Sequence, residues 1–403
     1  MSLIKKSKYI CPFCFTEHKL NEVEFRCSSD PKKCAYEKDD KFTDMFGVEQ
    51  LKGRVIKNMS EDEKNVMPKE AFCPKCGGKT TVRLCPTCHS ELPYTVGEYE
   101  DLIFAVIGAK EAGKSHYISV LIDKIMNEIG TAFNCSLQPI NDETIKRYRN
   151  DFYYPVFRKN EVIRVTRSAR TDSSVRKPLI YTLTFKEDGI LGGLLKSKKI
   201  NNVVTVAFFD TAGEDLNEED VMQTVNKYIY NSSGIIFLLD PLQLPEVREG
   251  LPVGTPLPEQ NTEMEDLLAR TANLIRKAKG INMNKLIEIP VAVAFSKMDA
   301  VAALMDPSSC INYPSKHVKQ GKFDLGDFED VNGFMESLVR SWGGENFANQ
   351  LSANFKEHAY FGITALGCNP ESNKIGKLRP HRVEDPFLWL LWKRKLIKSE
   401  KRK

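Results

Sequence analysis

From about residue 99 the chain alternates short, wholly apolar, β-branched runs with segments whose apolar residues recur at helical spacing. The runs are Leu102–Ile107, Leu179–Phe185, Val203–Phe209, Gly234–Leu239, Val291–Phe295 and Tyr360–Thr364. Apolar strands separated by amphipathic helices predict a mostly parallel sheet covered by helices on both faces, an α/β fold. Two insertions interrupt the alternation, one over residues 130–178 and one over Leu191–Asn202, which reads as a hairpin tip. The Pro-rich stretch Pro241–Gln260 reads as a loop. Before residue 99 the texture is different: cysteine-rich, with a charged stretch from Tyr36 to Glu70. The expected organisation is therefore a cysteine-rich module over 1–98, an α/β domain over 99–396 and a basic tail over 397–403.

The first strand runs into Gly108-Ala109-Lys110-Glu111-Ala112-Gly113-Lys114-Ser115-His116, and a helix with Ile118, Leu121, Ile122 and Ile125 on one side follows. This is G-x-x-x-x-G-K-S in the strand–loop–helix context that a phosphate-binding P-loop requires. Gly108 and Gly113 let the backbone wrap phosphates, and consecutive N–H groups form an anion nest backed by the helix dipole. Lys114 is expected to bridge the β- and γ-phosphates, and the Ser115 hydroxyl to bind Mg²⁺.

The run NNVVTVAFFDTAGED places Asp210 at the end of a strand, with Gly213 and Glu214 following. A carboxylate there holds the Mg²⁺ shell opposite Ser115, and the Gly213 N–H senses the γ-phosphate. The run IPVAVAFSKMDA ends in Ser296-Lys297-Met298-Asp299. A carboxylate at Asp299 can accept two parallel hydrogen bonds, from guanine N1–H and its exocyclic amine, which adenine does not offer in that arrangement. Lys297 can lay its methylene stem across the base. Backbone N–H groups of Ala365 and Leu366, after the last strand, can reach the base's O6. GTP or GDP with Mg²⁺ is the expected ligand.

GAKEAGKS, DTAGE, SKMD and TALG, in this order over roughly residues 100–395, resemble the G1, G3, G4 and G5 motifs of the translation-factor-like (TRAFAC) class of P-loop GTPases, Ras-like proteins included. The resemblance implies a Ras-like P-loop NTPase fold and a GTP-hydrolysing switch. It departs at two places. Ser296 stands where the class carries Asn, which weakens the tether between base loop and P-loop. Glu214 stands where Ras-like proteins carry a water-orienting Gln, which implies slow intrinsic hydrolysis. The switch threonine falls on Thr166 or Thr171, with Thr166 preferred. Arg164, Arg167, Arg170 and Arg176 in the same loop lack the spacing of an in-cis arginine finger, so acceleration by a partner or by self-association is expected.

Of eleven cysteines, eight precede residue 90. Clustered cysteines in a reducing compartment point to metal rather than to disulfides. Cys73-x-x-Cys76 and Cys85-x-x-Cys88, eight residues apart, are expected to close one tetrahedral Cys₄ zinc site. Cys11 and Cys14 form another knuckle, with Cys27 and Cys34 as its expected partners and His18 or His89 as alternatives. Interleaving of early and late knuckles is a further option. Either way, two structural zinc ions are expected, serving to brace the domain or to dock a partner. The CPFC…FRC start, the GTPase motifs and the ending RVEDPFLWLL are together similar to the double-GTPase families of bacterial conflict systems. That resemblance implies an antiphage setting and an effector-like protein partner.

The formal net charge is +4, and the last twelve residues, Trp392–Lys403, hold seven Lys/Arg and one Glu, so the rest of the chain sums to about −2. No global nucleic-acid signature results. The tail reads as a solvated, disordered end. No apolar run reaches the roughly 18 residues of a membrane span, and no secretory signal opens the chain, so a cytoplasmic location is expected. Asp385 and Pro386 start a helix whose apolar residues surround most of its circumference, which reads as a buried element rather than an interfacial membrane helix. Two functions are compatible with these residues. One is a GTP-hydrolysing switch. The other is a scaffold or adaptor that holds nucleotide with little hydrolysis and docks a partner through its zinc ribbons.

Overall fold

The computed structural model describes residues 7–57, 65–109, 111–163, 178–191, 195–209, 222–255, 257–259 and 264–400. Lys110, Thr166, Thr171, Asp210, Gly213, Glu214, Arg164, Arg167, Arg170 and Arg176 lie outside the described residues.

The central sheet has seven strands: β1 (Glu100–Ile107), β2 (Cys135–Pro139), β3 (Leu179–Leu191), β4 (Leu195–Phe208), β5 (Gly234–Leu239), β6 (Val291–Phe295) and β7 (His358–Gly362). Their order is β2-β3-β4-β1-β5-β6-β7. The β4–β1, β1–β5, β5–β6 and β6–β7 pairs are parallel, and β2–β3 and β3–β4 are antiparallel. This is the doubly wound, Ras-like P-loop architecture. The order reverses at β1, so the crevice for a ligand opens at the carboxyl ends of β1, β4 and β5.

The period of two along each strand divides the interior into two cores. Ile103, Ala105 and Ile107 of β1, with Ile235, Phe237, Val291 and Val293, face one core. It is filled by helices α3 (Met264–Lys279), α4 (Leu325–Ser341) and α5 (Glu345–Asn354) through Leu268, Ile275, Val331, Val339 and Leu351. Leu102, Phe104 and Val106, with Ile236, Leu238, Ala292 and Ala294, face the other. There the P-loop helix α1 (Lys114–Lys124) and the C-terminal helix α6 (Asp385–Lys393) lie side by side, contributing Ile118, Leu121, Phe387, Trp389 and Leu390. The expectation that α6 is a buried element holds. Among the described residues no helix is long and apolar enough to cross a membrane.

Three local expectations are corrected. The insertion over 130–178 contributes the edge strand β2, whose alternation is too short to stand out. It also adds a helix at Asp142–Arg147, capped by the Asn141 side chain. The Pro-rich stretch is not all loop: Pro245 occupies the first turn of a helix, Pro245–Gly250, where a missing N–H costs nothing. The tail is not wholly solvated: Ile397 is buried and Ser399–Glu400 pair with Phe323–Asp324.

The cysteine-rich module is joined to the first core without a break. Tyr9, Phe15, Phe25 and Phe46 belong to the same buried cluster as Ile103, Phe209 and Tyr228. Side chains also bond across the junction: Asn231 Nδ2 donates to Phe15 O at 2.8 Å, and the Thr95 and Thr205 hydroxyls lie 2.9 Å apart.

Candidate functional site: a nucleotide crevice and two tetrathiol centres

Gly108 ends β1 so close to β5 that a Cβ there would stand 2.4 Å from Leu238 O. Only glycine permits that approach. Gly113 caps α1 in the left-handed region, φ 85°, again favouring glycine. Lys114 is buried, and its Nζ donates to Gly108 O and Ala109 O at 2.9 Å each. The loop carbonyls thus hold the ammonium over the loop. Ser115 sits in the first turn of α1, at the helix end whose dipole favours an anion. Ala109, Glu111 and Ala112 complete the described part of the loop, and Ala112 is buried beneath it.

His116 turns inward from the helix start. Its Nε2 accepts from Ile163 N at 3.0 Å, which anchors a residue three positions before Thr166. Burial, with the Lys297 ammonium nearby, lowers the imidazole pKa to about 4, so the ring is a neutral acceptor near pH 7. The sequence placed His116 among nucleotide contacts. In this structure its ring contacts Ile163, and it lies near Lys297 of the SKMD loop.

At the end of β6, Ser296 is buried and its Oγ donates to Leu239 O at 3.0 Å. The hydroxyl therefore ties the base loop to β5, not to the P-loop. Lys297 adopts φ 53°, and its Nζ lies 2.5 Å from Asp240 Oδ2. The other Asp240 oxygen accepts from Leu242 N at 3.0 Å, capping the next turn. Asp299 N donates to Thr364 Oγ1 at 3.2 Å, and Thr364 Oγ1 stands 3.2 Å from Asp299 Oδ1. One oxygen of Asp299 is thereby oriented by β7's exit loop. Ala365 and Leu366 follow Thr364, and the Leu366 carbonyl accepts from Arg379 N at 2.8 Å.

Sequence reasoning missed Asp240 and the orienting role of Thr364. An Asp terminating an apolar strand was the available signal for Asp240, since the same pattern singled out Asp210 and Asp299. Sequence reasoning also missed Arg382. This buried guanidinium pairs with Asp327 and Asp385 at 2.8–3.0 Å, just beyond the Thr364 loop. Burial alone would raise the Asp327 pKa, but hydrogen bonds from Arg382 bring it below the usual carboxylate value.

All eight N-terminal cysteines fall into two groups of four: Cys11, Cys14, Cys85 and Cys88, and Cys27, Cys34, Cys73 and Cys76. The expected pairing of Cys73/Cys76 with Cys85/Cys88 is therefore corrected to the interleaved one. Cross-knuckle sulfur distances are 3.8 Å for Cys11–Cys88, 3.6 Å for Cys14–Cys85, 3.7 Å for Cys27–Cys76 and 4.0 Å for Cys34–Cys73. Four thiolates around a tetrahedral ion at about 2.3 Å stand about 3.8 Å apart, so both groups fit zinc.

Three knuckles share one backbone design. In each, the residue after the second cysteine is left-handed: Phe15 (φ 56°), Gly77 (φ 66°) and His89 (φ 50°). Its N–H bonds to the carbonyl of the first cysteine at 2.8–2.9 Å. His18 and His89 are not members of either group. His18 Nε2 lies 3.5 Å from Cys85 Sγ, outside the tetrahedron. His89 belongs to an interior polar cluster, with its Nδ1 2.7 Å from Asp39 and its Nε2 2.9 Å from Glu24. Arg26 Nη2 donates to the same Asp39 at 2.7 Å. Against the effect of burial, Arg26 and His89 keep the Asp39 carboxyl below its ordinary pKa.

No family model matches the chain. It is 27% identical over 327 residues, 77% of this chain and 79% of the relative, to a candidate ESX-1 scaffolding and assembly protein, SaeC, of Mycolicibacterium smegmatis. Among solved structures it is similar to the GTPase-like domain of Saccharomyces cerevisiae Ski7 bound to GTP, at 13% identity and TM-score 0.31, covering 75% of this chain and 51% of that one. It therefore spans about half the length of the Ski7 chain. It is also similar to a nucleolar GTP-binding protein 1 of Plasmodium falciparum, at 14% identity and TM-score 0.26, covering 76% of this chain and 92% of that one.

Proposed function

We propose that the chain is a guanine-nucleotide-dependent switch that binds GTP and GDP with Mg²⁺ and hydrolyses GTP slowly. The observation that carries this reading is the Asp299 carboxylate, held by Thr364 just past the carboxyl end of β6, on the same edge of the parallel sheet as the Gly108–Ser115 loop. Asp299 is exposed in the free chain; a base seated over it covers the carboxylate, and one lacking two matching donors leaves that acceptor without partners, which discriminates against adenine. Gly108, Gly113 and Lys114 hold the phosphates, Ser115 and Asp210 the magnesium, and the Ala365 and Leu366 N–H groups the base. Thr166, Gly213 and Glu214 act at the γ-phosphate, where Glu214 is a poor water-orienting group. The tetrathiol module presents the switch to a protein partner. By resemblance to the double-GTPase families, that partner is an effector in a bacterial conflict system. Calorimetry with GTP and ATP, followed by single-turnover GTP hydrolysis at rising protein concentration, tests the reading. Equal affinity for both nucleotides overturns it.

A second reading is a nucleotide-holding scaffold. It is favoured by the Ser296 hydroxyl bonding to Leu239 O instead of tethering the P-loop, and it agrees with the name of the SaeC relative. Turnover that stays negligible at every protein concentration and with added partner selects it.

A further inference from the structure

β1 and β4 pair in register only from Glu100↔Val204 to Ile103↔Ala207. Past that point the two strands carry the phosphate loop and the Asp210 segment, and their facing backbone groups need other partners. A single side chain supplies them. Helix α2 (Met222–Tyr230) sends Tyr228 into the gap, where it is buried. Its Oη donates to Phe104 O at 2.6 Å and accepts from Val106 N at 3.1 Å and Phe209 N at 3.3 Å. One donated and two accepted bonds use the full capacity of a hydroxyl. One atom thus fixes the strand two residues before Gly108 and the residue just before Asp210.

The ring of Tyr228 is clamped from outside by the cysteine module. Phe15, fully buried, has its centroid 4.9 Å from that of Tyr228 and 5.6 Å from that of Phe209. Phe15 directly follows Cys14 and owes its left-handed backbone to the knuckle bond from its N–H to Cys11 O at 2.9 Å. Its carbonyl accepts from Asn231, and Thr16 Oγ1 lies 3.2 Å from Lys227 Nζ, so the knuckle grips both sides of Tyr228 on α2. Among the described residues, the Cys27–Cys34–Cys73–Cys76 group makes no comparable bond to the sheet.

We propose that Tyr228 is a positioning residue for the nucleotide site, and that the Cys11–Cys14–Cys85–Cys88 centre sets its position through Phe15. The proposal rests on the nucleotide-binding reading above. The hydroxyl holds β1, which leads into the phosphate loop, against Phe209, just past the end of β4. The knuckle holds the ring that carries the hydroxyl. Loss of order in this tetrathiol centre is thereby transmitted to nucleotide affinity, whereas loss of order in the other centre is not.

The test is the affinity of the full chain for a fluorescent GDP analogue in four proteins: wild type, Tyr228→Phe, Phe15→Leu and the distant core variant Val339→Ala. Bound zinc, thermal unfolding and amide exchange are measured on each. Tyr228→Phe keeps the ring but orphans two buried N–H groups, and the expected result is about tenfold weaker GDP binding with faster exchange at Val106 and Phe209. Phe15→Leu is expected to weaken binding in the same direction, and Val339→Ala to lower the unfolding temperature while leaving affinity unchanged. Wild-type affinity in both Tyr228→Phe and Phe15→Leu overturns the proposal, as does equal loss of affinity in Val339→Ala. Should Tyr228→Phe yield no folded chain, the Phe15→Leu comparison decides by the same criteria. If wild type itself binds no GDP, the nucleotide reading fails, and this proposal fails with it.

Discussion

Thr364 Oγ1 lies 3.2 Å from both the backbone N and the Oδ1 of Asp299, although the two residues are 65 positions apart. The hydroxyl accepts from the amide and donates to the carboxylate, so the exit loop of one strand sets the direction of an acceptor on its neighbour. On the proposed reading, specificity for a base then depends on two loops rather than on one motif.

Asp299→Ala is accordingly expected to weaken GTP binding by about 100-fold or more, since each hydrogen bond to a charged group is worth about 1.5–3 kcal/mol. Thr364→Val keeps the shape and removes the hydroxyl that orients the carboxylate, and about a fivefold loss, smaller than that of Asp299→Ala, is expected. Adenosine and xanthosine nucleotides should lose far less in Asp299→Ala. Calorimetric titration of the variants with each nucleotide checks the order.

The interleaved pairing makes a prediction about mutant pairs. Cys14→Ser and Cys85→Ser disable the same centre, so the double variant should lose no more metal than either single one. Cys14→Ser with Cys73→Ser should lose both ions. Metal analysis of carefully prepared protein should give two zinc ions for wild type, and a single ion there would overturn the two-centre arrangement.

His116 supplies a pH dependence whose sign is fixed. Its folded pKa of about 4 lies below the ordinary value of 6.5, so the unfolded chain binds more protons between those limits. The neutral ring's contribution is complete above about pH 6.5 and is lost as pH falls towards 4. Denaturant unfolding of wild type and His116→Gln across that window is the check. Gln retains an acceptor for Ile163 N but does not titrate, so the difference in stability between the two proteins should shrink with falling pH. A constant difference would show that His116 titrates normally.

Arg382 has side-chain exposure of 1% and bridges Asp327 on α4 to Asp385 at the start of α6. Removing one partner from such a cluster leaves charge buried without compensation. Arg382→Ala should therefore cost about 3–5 kcal/mol of stability. Chemical denaturation measures this directly, and a loss below about 1 kcal/mol would mean that water reaches the carboxylates.

The phosphate loop, its strand and its helix were legible in the sequence because their function is local. An anion nest is made by consecutive N–H groups, and alternation with period two identifies the strand that aims it. The same holds for each C-x-x-C knuckle, whose turn is closed by a bond between residues four apart. Which knuckles share an ion was settled only by the fold. Cys14 reaches Cys85 across 71 positions while Cys76, only nine residues before Cys85, joins the other group. A tetrahedral centre asks only that four sulfurs meet within about 4 Å, and the entropy of closing a loop grows so slowly with its length that spacing along the chain hardly favours the nearer partner. Tyr228, Thr364, Asp240 and Arg382 stayed hidden for a related reason. Each works on backbone or charge that tertiary packing alone brings within hydrogen-bond range, and a lone tyrosine or arginine in a helical or loop pattern carries no mark of what it will meet.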